Sequence, residues 1–157
     1  ETSLAEGGNQ YLKAVEKAAA AHGAGVVTIC GTIESQIATL ETEAERQEFL
    51  KAEGLEESGL NRLIQSGYAL LNLSTFFTVG PKEDRAWTIP KDCAAVDAAG
   101  KIHTDMARGF IRAEVIAYDD FIACGSETAA KEKGKLRLEG KEYQVQDGDL
   151  MHFRFSV

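Results

Sequence analysis

His103 and Asp105 place an imidazole and a carboxylate two positions apart, the residue types of a general acid–base pair. Side chains two positions apart point to different faces of a helix, so this spacing does not favour cooperation. A hydrogen-bonding role at the end of a helix is the better interpretation. We therefore predict no catalytic residue in this chain.

Two pairs of acidic residues offer the oxygen ligands that Mg²⁺ prefers, Asp119 with Asp120 and Asp147 with Asp149. The first pair lies at the predicted start of a helix, and the second flanks Gly148 in a predicted turn. A helix cap and a turn account for both pairs without a metal ion. The sequence therefore predicts no metal ligand.

The three cysteines, Cys30, Cys93 and Cys124, are odd in number and far apart, which argues against a disulfide framework and a cysteine zinc site. Buried, reduced thiols are expected instead. The sequence contains no GxxxxGKS or GxxxxGKT loop, and no GxGxxG, HExxH or GxSxG motif. We therefore expect nothing in this chain to cradle a β-phosphate.

The basic residues of the second half are the best candidates for binding a partner. Side chains from several elements that converge on one sheet face or edge would form a patch that contacts phosphates. An ordinary solvated surface is the alternative. The candidate residues for RNA or ribosome contact are Lys82, Arg85, Lys101, Arg108, Arg112, Lys131, Lys133, Lys135, Arg137 and Lys141.

Charge and composition limit the class of protein. The 157 residues are 44% hydrophobic and carry a net charge of −8, which leaves room for one ordinary domain or two small ones. Residues 1–74 carry 5 basic and 11 acidic side chains, and residues 75–157 carry 12 and 14, so the net charges are −6 and −2. This balance argues against strong, indiscriminate binding to nucleic acid. No signal pattern or membrane-length apolar stretch occurs, so we expect a cytoplasmic protein.

The elements that would position these side chains follow from local patterns. In the first half, apolar spacing predicts a helix over 10–22, and a β-branched run between glycines predicts a buried strand over 26–30. Thr42 with Glu45 forms a capping box ahead of a second helix, and Ser58 can cap a third. Helices around a buried strand are typical of an α/β fold with a parallel sheet.

The second half changes to strand-like patterns. Gly80-Pro81 indicates a hairpin connection between the first two strands, and Asp147-Gly148 indicates a turn ahead of a final half-buried strand. Two strands, a helix, a strand and a closing hairpin form a β-grasp order, with the domain boundary at about 72–76. The predicted elements are strands over 75–79, 85–89 and 110–117, a helix over about 94–107, a helix over about 118–133 that breaks at Gly125, and a strand from Met151 to Val157.

Long blocks of the second half resemble the C-terminal TGS domain of the YchF family of Obg-like ATPases. They are TFFTVGPKEDRAWTIP at 75–90, AAGKIHTDMARGFIRAEVIAYDDF at 98–121 and KEKGKLRLEGKEYQVQDGDLMHFRFSV at 131–157. VVTICGTIESQIATL at 26–40 is similar to the strand and helix that close the family's G domain, and GLEESGLNRLIQSGYALLNL at 54–73 to the passage that follows. Residues 91–97 and Met106 depart from the family pattern.

The resemblance implies a fold and a parent protein. Residues 1–73 would be the C-terminal portion of an α/β P-loop G domain, and residues 74–157 a TGS domain of β-grasp, ubiquitin-like fold. The parent would hydrolyse ATP in preference to GTP with Mg²⁺ and associate with ribosomes. This chain alone is expected to bind neither cofactor and to be inactive, because phosphoryl transfer depends on parts that lie upstream in the family.

The resemblance also implies residues that contact the purine base. Glu1 aligns with the last position of the family's base-recognition motif, and Cys30, Gly31 and Thr32 align with the loop after the last strand of the G domain. Two hypotheses about the second half stay open. The TGS domain is an RNA- or ribosome-binding module, or it is a ubiquitin-like module that binds proteins and no nucleic acid.

Overall fold

The computed structural model describes residues 8–80 and 83–156. The chain divides into two compact units, Glu1–Leu71 and Asn72–Val157, called here the helical unit and the sheet unit. Together they form a mixed α/β fold with one five-stranded sheet. No helix among the described residues is both long and apolar enough to cross a membrane.

The helical unit begins its helices where the sequence places capping side chains. Asn9 accepts hydrogen bonds from two backbone N–H groups of the first helix, and Thr42 with Glu45 forms the predicted capping box. Ser58 caps the last helix by accepting from the N–H of Asn61. Such caps satisfy backbone donors that the first turn of a helix leaves unpaired. The helices are α1 Gln10–Ala21, α2 Gly31–Ile37, α3 Glu43–Ala52 and α4 Gly59–Leu70.

The buried strand predicted over 26–30 is wrong. The structure has no strand there, and Val26 and Ile29 are 38% and 45% exposed. A strand needs a neighbouring strand to receive its backbone hydrogen bonds. The described residues of the helical unit supply no such neighbour, so the parallel sheet predicted for this half is absent from them.

The sheet unit contains five strands in the order β2-β1-β5-β3-β4. Strand β5 lies at the centre, parallel to β1 and antiparallel to β3, while β2 and β4 form the edges. The elements are β1 Leu73–Val79, β2 Asp84–Pro90, α5 Ala95–Ile102, α6 Thr104–Arg108, β3 Phe110–Ile116, α7 Tyr118–Cys124, α8 Glu127–Glu132, β4 Arg137–Glu139 and β5 Leu150–Phe155.

Two details of the sheet unit differ from the sequence prediction, and two others agree with it. The helix predicted over 94–107 is two helices, because His103 adopts an extended backbone between α5 and α6. The closing hairpin is absent, because β4 pairs with β3 rather than with β5. The predicted break at Gly125 and the turn at Asp147-Gly148 are confirmed, and both glycines have a positive φ that favours glycine.

The sheet has an inner face that is fully covered and an outer face that is half covered. On the inner face, alanines of α5 pack against Phe76, Ile89, Val115, Met151 and Phe153. On the outer face, α7 and α8 cover one end through a smaller cluster around Ile116 and Leu150. The other end of the outer face stays exposed, and this leaves room for a partner.

Candidate nucleic-acid interface

His103 caps the start of a helix, in agreement with the predicted helix-end role. Its Nδ1 accepts a hydrogen bond from the backbone N–H of Asp105 at 3.2 Å and caps α6. The Asp105 carboxylate binds the guanidinium of Arg108 at 2.8 Å. The imidazole Nδ1 and a carboxylate oxygen of Asp105 lie 3.6 Å apart, so the two side chains approach each other although they are only two positions apart, and both have partners within α6 and its cap.

Three of the four aspartates that could suggest a metal site, Asp120, Asp147 and Asp149, have hydrogen-bond or ion-pair partners in the sheet unit. Asp120 pairs with Lys135 at 3.0 Å, and Asp147 accepts the backbone N–H of Thr75 at 2.7 Å. Asp119 lies in the first turn of α7. Across residues 8–80 and 83–156, no group of three or more His, Cys, Asp or Glu side chains is arranged to hold a metal ion.

The residues aligned with a base-binding loop lie at the start of α2. Gly31 and Thr32 are exposed, and a Cβ added at Gly31 would meet no side chain within 4 Å. Backbone N–H groups of Ile33 and Thr32 lower the pKa of the Cys30 thiol. This segment fits a base edge that accepts from backbone N–H groups, and its role stays a prediction. Glu1 lies outside the described residues.

The three cysteines carry no disulfide and are half-buried. Burial raises the pKa of the Cys93 thiol, which keeps this thiol in its neutral form. The expectation of reduced thiols fits this arrangement, although none of the three is fully buried.

Several of the candidate basic side chains are bound within the sheet unit. Arg108, Lys135 and Arg137 pair with Asp105, Asp120 and Asp149. Among the described residues, Lys101, Lys131, Lys133 and Lys141 form no ion pair, whereas Arg85 stacks over the ring of Trp87 at 4.2 Å and Arg112 approaches Glu114 at 3.6 Å. Lys82 lies outside the described residues.

The candidate basic residues do not share one surface. Arg85 lies on the same side of β2 as Trp87 and Ile89, toward the inner face. Arg112 alternates with the buried Ala113 and lies on the outer face. The structure therefore divides the candidates between opposite sides of the sheet.

Arg137 belongs to a buried network that ties the last loop to the sheet. Asp149, 2% exposed, accepts hydrogen bonds from the Tyr143 hydroxyl at 2.7 Å and the Gln146 backbone N–H at 2.9 Å. Arg137 donates to the Tyr143 hydroxyl at 3.0 Å and approaches Asp149 at 3.5 Å. A buried carboxylate needs such partners, so Arg137 has a structural role here.

This network predicts that the stability of the fold decreases at alkaline pH. Burial, followed by the hydrogen bond to Asp149, raises the pKa of Tyr143 to about 12. The neutral phenol stabilises the fold below the unfolded pKa of about 10, and this contribution is lost as pH rises toward about 12. We expect the phenolate absorbance of Tyr143, obtained as wild type minus Tyr143→Phe, to titrate near pH 12. A midpoint near 10 would show that the network is absent.

The exposed end of the outer face carries charged side chains that sequence reasoning missed. His152 and Arg154 on β5 lie opposite Glu114 and Arg112 on β3. Arg154 forms a two-point hydrogen bond with Glu114, at 3.0 Å from Nε and 2.9 Å from Nη2. The alternation of His152 and Arg154 with buried neighbours is visible in the sequence. Their position beside Arg112 follows only from the strand register.

The comparisons with known proteins agree on one family. A family model described as YchF-GTPase_C, a protein of unknown function, matches residues 73–156. The Ribosome-binding ATPase YchF of Haemophilus influenzae is 60% identical over 149 residues, which are 95% of this chain and 41% of that protein. The chain belongs to the YchF family. The protein of the same name from Bacillus subtilis is 53% identical over 150 residues, 96% of this chain and 41% of that relative.

Two solved structures resemble this chain, and the first of them carries the YchF name. The YchF GTPase of Schizosaccharomyces pombe matches 94% of this chain and 39% of its own, with a TM-score of 0.75 and 34% identity. A GTP-binding protein of Pyrococcus horikoshii shares the fold at a TM-score of 0.63 and 17% identity, over 96% of this chain and 43% of that chain. The chain spans about two fifths of the length of these YchF relatives.

Proposed function

We propose that this chain is the C-terminal region of a ribosome-associated, Mg²⁺-dependent, ATP-hydrolysing protein that acts in the cytoplasm in translation. The observation that carries the proposal is the 60% identity over 95% of the chain to a protein named Ribosome-binding ATPase YchF. The helical unit would be the end of the G domain. The sheet unit would be a TGS domain that contacts RNA or the ribosome.

The topology of the sheet unit supports the β-grasp part of this proposal. An N-terminal hairpin, β1 with β2, is followed by α5 across the inner face and by a central final strand parallel to β1. The sequence order of hairpin, helix and further strands is the one expected for a ubiquitin-like fold. The predicted closing hairpin is absent, because β5 pairs with β1 and β3 and β4 pairs with β3.

The nucleotide would bind mainly to residues outside this chain. ATP with Mg²⁺ supplies the phosphoryl group whose transfer the parent protein would catalyse. Within this chain, the backbone N–H groups at the start of α2, where Gly31 and Thr32 are exposed residues, would donate to the edge of the base. The sequence has no phosphate-binding loop, so we expect the chain alone to bind ribosomes without hydrolysing ATP.

Ribosome binding by the purified chain tests this proposal. We expect the chain to sediment with bacterial ribosomes, and the bound fraction to fall steeply between about 50 and 200 mM salt, because phosphate contacts release counterions. The chain without ribosomes is the control and should stay in the supernatant. No sedimentation with ribosomes at low salt would contradict the proposal. Binding that does not change with salt would favour the alternative, a ubiquitin-like module that binds proteins.

A further inference from the structure

Four side chains form a charged surface on the exposed end of the outer face. Arg112 and Glu114 lie on β3, and His152 and Arg154 lie directly opposite on β5. We call this surface, Arg112, Glu114, His152 and Arg154, the arginine face. Side chains paired across neighbouring strands lie about 5 Å apart at their Cβ atoms, so the four groups form one continuous site.

The cations of the arginine face lie toward solvent and the carboxylate lies beneath them. The Glu114 side chain is 14% exposed, whereas the side chains of Arg112 and Arg154 are each 48% exposed. An approaching partner therefore meets the guanidinium groups before it meets the carboxylate. Glu127, at the start of α8, contributes the acidic charge at the border of this surface.

Glu114 orients the guanidinium group of Arg154 through hydrogen bonds and forms a longer ion pair with Arg112. It receives two hydrogen bonds from Arg154 and lies 3.6 Å from Nη2 of Arg112. Among the described residues, no contact uses Nη1 of either arginine, so donors of both groups remain available. A guanidinium that is already oriented loses less side-chain entropy when it binds a phosphate through its planar fork.

We propose that the arginine face binds the phosphate backbone of RNA, with Arg112 and Arg154 as the contacting residues and Glu114 as their positioning residue. This inference rests on the proposed function, and it assigns the contact to one end of the outer face. Charge complementarity favours this partner, because two exposed guanidinium groups and an exposed imidazole lie outside the covered carboxylate of Glu114, while the other carboxylate, Glu127, lies at the border of the face. Lys131 and Lys133 lie at the end of α8, outside the arginine face.

A pair of double variants tests the assignment. Arg112→Gln with Arg154→Gln removes two cationic charges from the arginine face, and Lys13→Gln with Lys17→Gln removes two from exposed positions of α1 in the helical unit. The probes are fluorescein-labelled ribosomal RNA free of protein, and intact bacterial ribosomes. We expect the arginine variant to lose about tenfold or more in affinity for RNA. The slope of log affinity against log salt concentration should become shallower by roughly 1.4, since each phosphate contact on a single strand contributes about 0.7.

The outcomes separate this inference from the proposed function. We expect the lysine variant to keep its affinity for RNA within about threefold, and Trp87 fluorescence should show that both variants are folded. If wild type binds ribosomes but the arginine variant binds RNA equally well, the arginine face is not the contact, and the proposed function stands. If wild type binds neither probe, the proposed function fails together with the inference.

Discussion

Replacing Phe76 with alanine should destabilise the sheet unit by about 3–5 kcal/mol, because it empties the centre of the inner core. Phe76 is fully buried. Its ring stacks on Trp87 at 6.4 Å and meets the edge of Phe153 at 5.9 Å, an arrangement that aromatic pairs favour.

Urea unfolding followed by circular dichroism measures this effect. The free energy of unfolding typically falls by about 1–3 kcal/mol for each molar of urea, so the urea concentration at the unfolding midpoint should decrease by roughly 2 M. Phe155→Ala is the matched control, because the ring of Phe155 is 40% exposed at the end of the same strand as Phe153. Phe155→Ala should lower the free energy of unfolding by less than half as much as Phe76→Ala. Equal shifts for both variants would contradict the core described here.

Gly109→Ala should destabilise the sheet unit by about 3 kcal/mol, because an added Cβ would overlap backbone rather than a movable side chain. The new atom would overlap the carbonyl oxygen of Ser156 and lie 2.7 Å from its carbonyl carbon. Ser156 also donates its backbone N–H to the Gly109 carbonyl at 2.9 Å. Relief of the overlap would break this bond and separate the ends of β3 and β5.

The fluorescence of Trp87, the one tryptophan of the chain, reports the loss of structure in the Gly109 variant. The melting temperature should fall by roughly 4–8 °C for each kcal/mol. Gly140→Ala is the control, because no atom lies within 4 Å of its Cβ position and its φ is not positive. We expect the control to stay within about 0.5 kcal/mol of wild type. A Gly109 variant as stable as this control would show that the two chain segments do not approach closely.

Local chemistry explains why many elements were predictable from the sequence. The capping box of Thr42 and Glu45, the cap at Ser58 and the break at Gly125 each depend on residues within one turn of each other. Such signals act before any tertiary contact forms. The alternation along β5 predicted an apolar side from Met151 onward. Met151 and Phe153 are buried as expected, whereas Phe155 near the end of the strand is 40% exposed.

Strand partners were not predictable by the same means. Alternation fixes the face of a strand and says nothing of its neighbour. Strand β5 was therefore expected in a hairpin, whereas it lies between β1 and β3. The β-branched run at 26–30 has strand propensity, but propensity cannot replace a partner for its backbone.

The candidate interface likewise depends on contacts between distant positions, which the sequence alone does not reveal. Counting charges along the chain highlighted Lys131, Lys135 and Arg137 because they are close in sequence. The structure pairs Lys135 with Asp120 and turns Arg137 toward the buried Asp149. The arginine face instead combines residues about forty positions apart, so only the register of β3 and β5 reveals it.

A cryo-EM map of the purified chain bound to bacterial ribosomes tests the central claim most directly. The claim is that the sheet unit contacts ribosomal RNA through its outer face. We predict that the map shows the sheet unit against RNA, with the guanidinium groups of Arg112 and Arg154 within hydrogen-bonding distance of phosphates. A map in which the outer face points to solvent, or contacts ribosomal proteins alone, would contradict the claim.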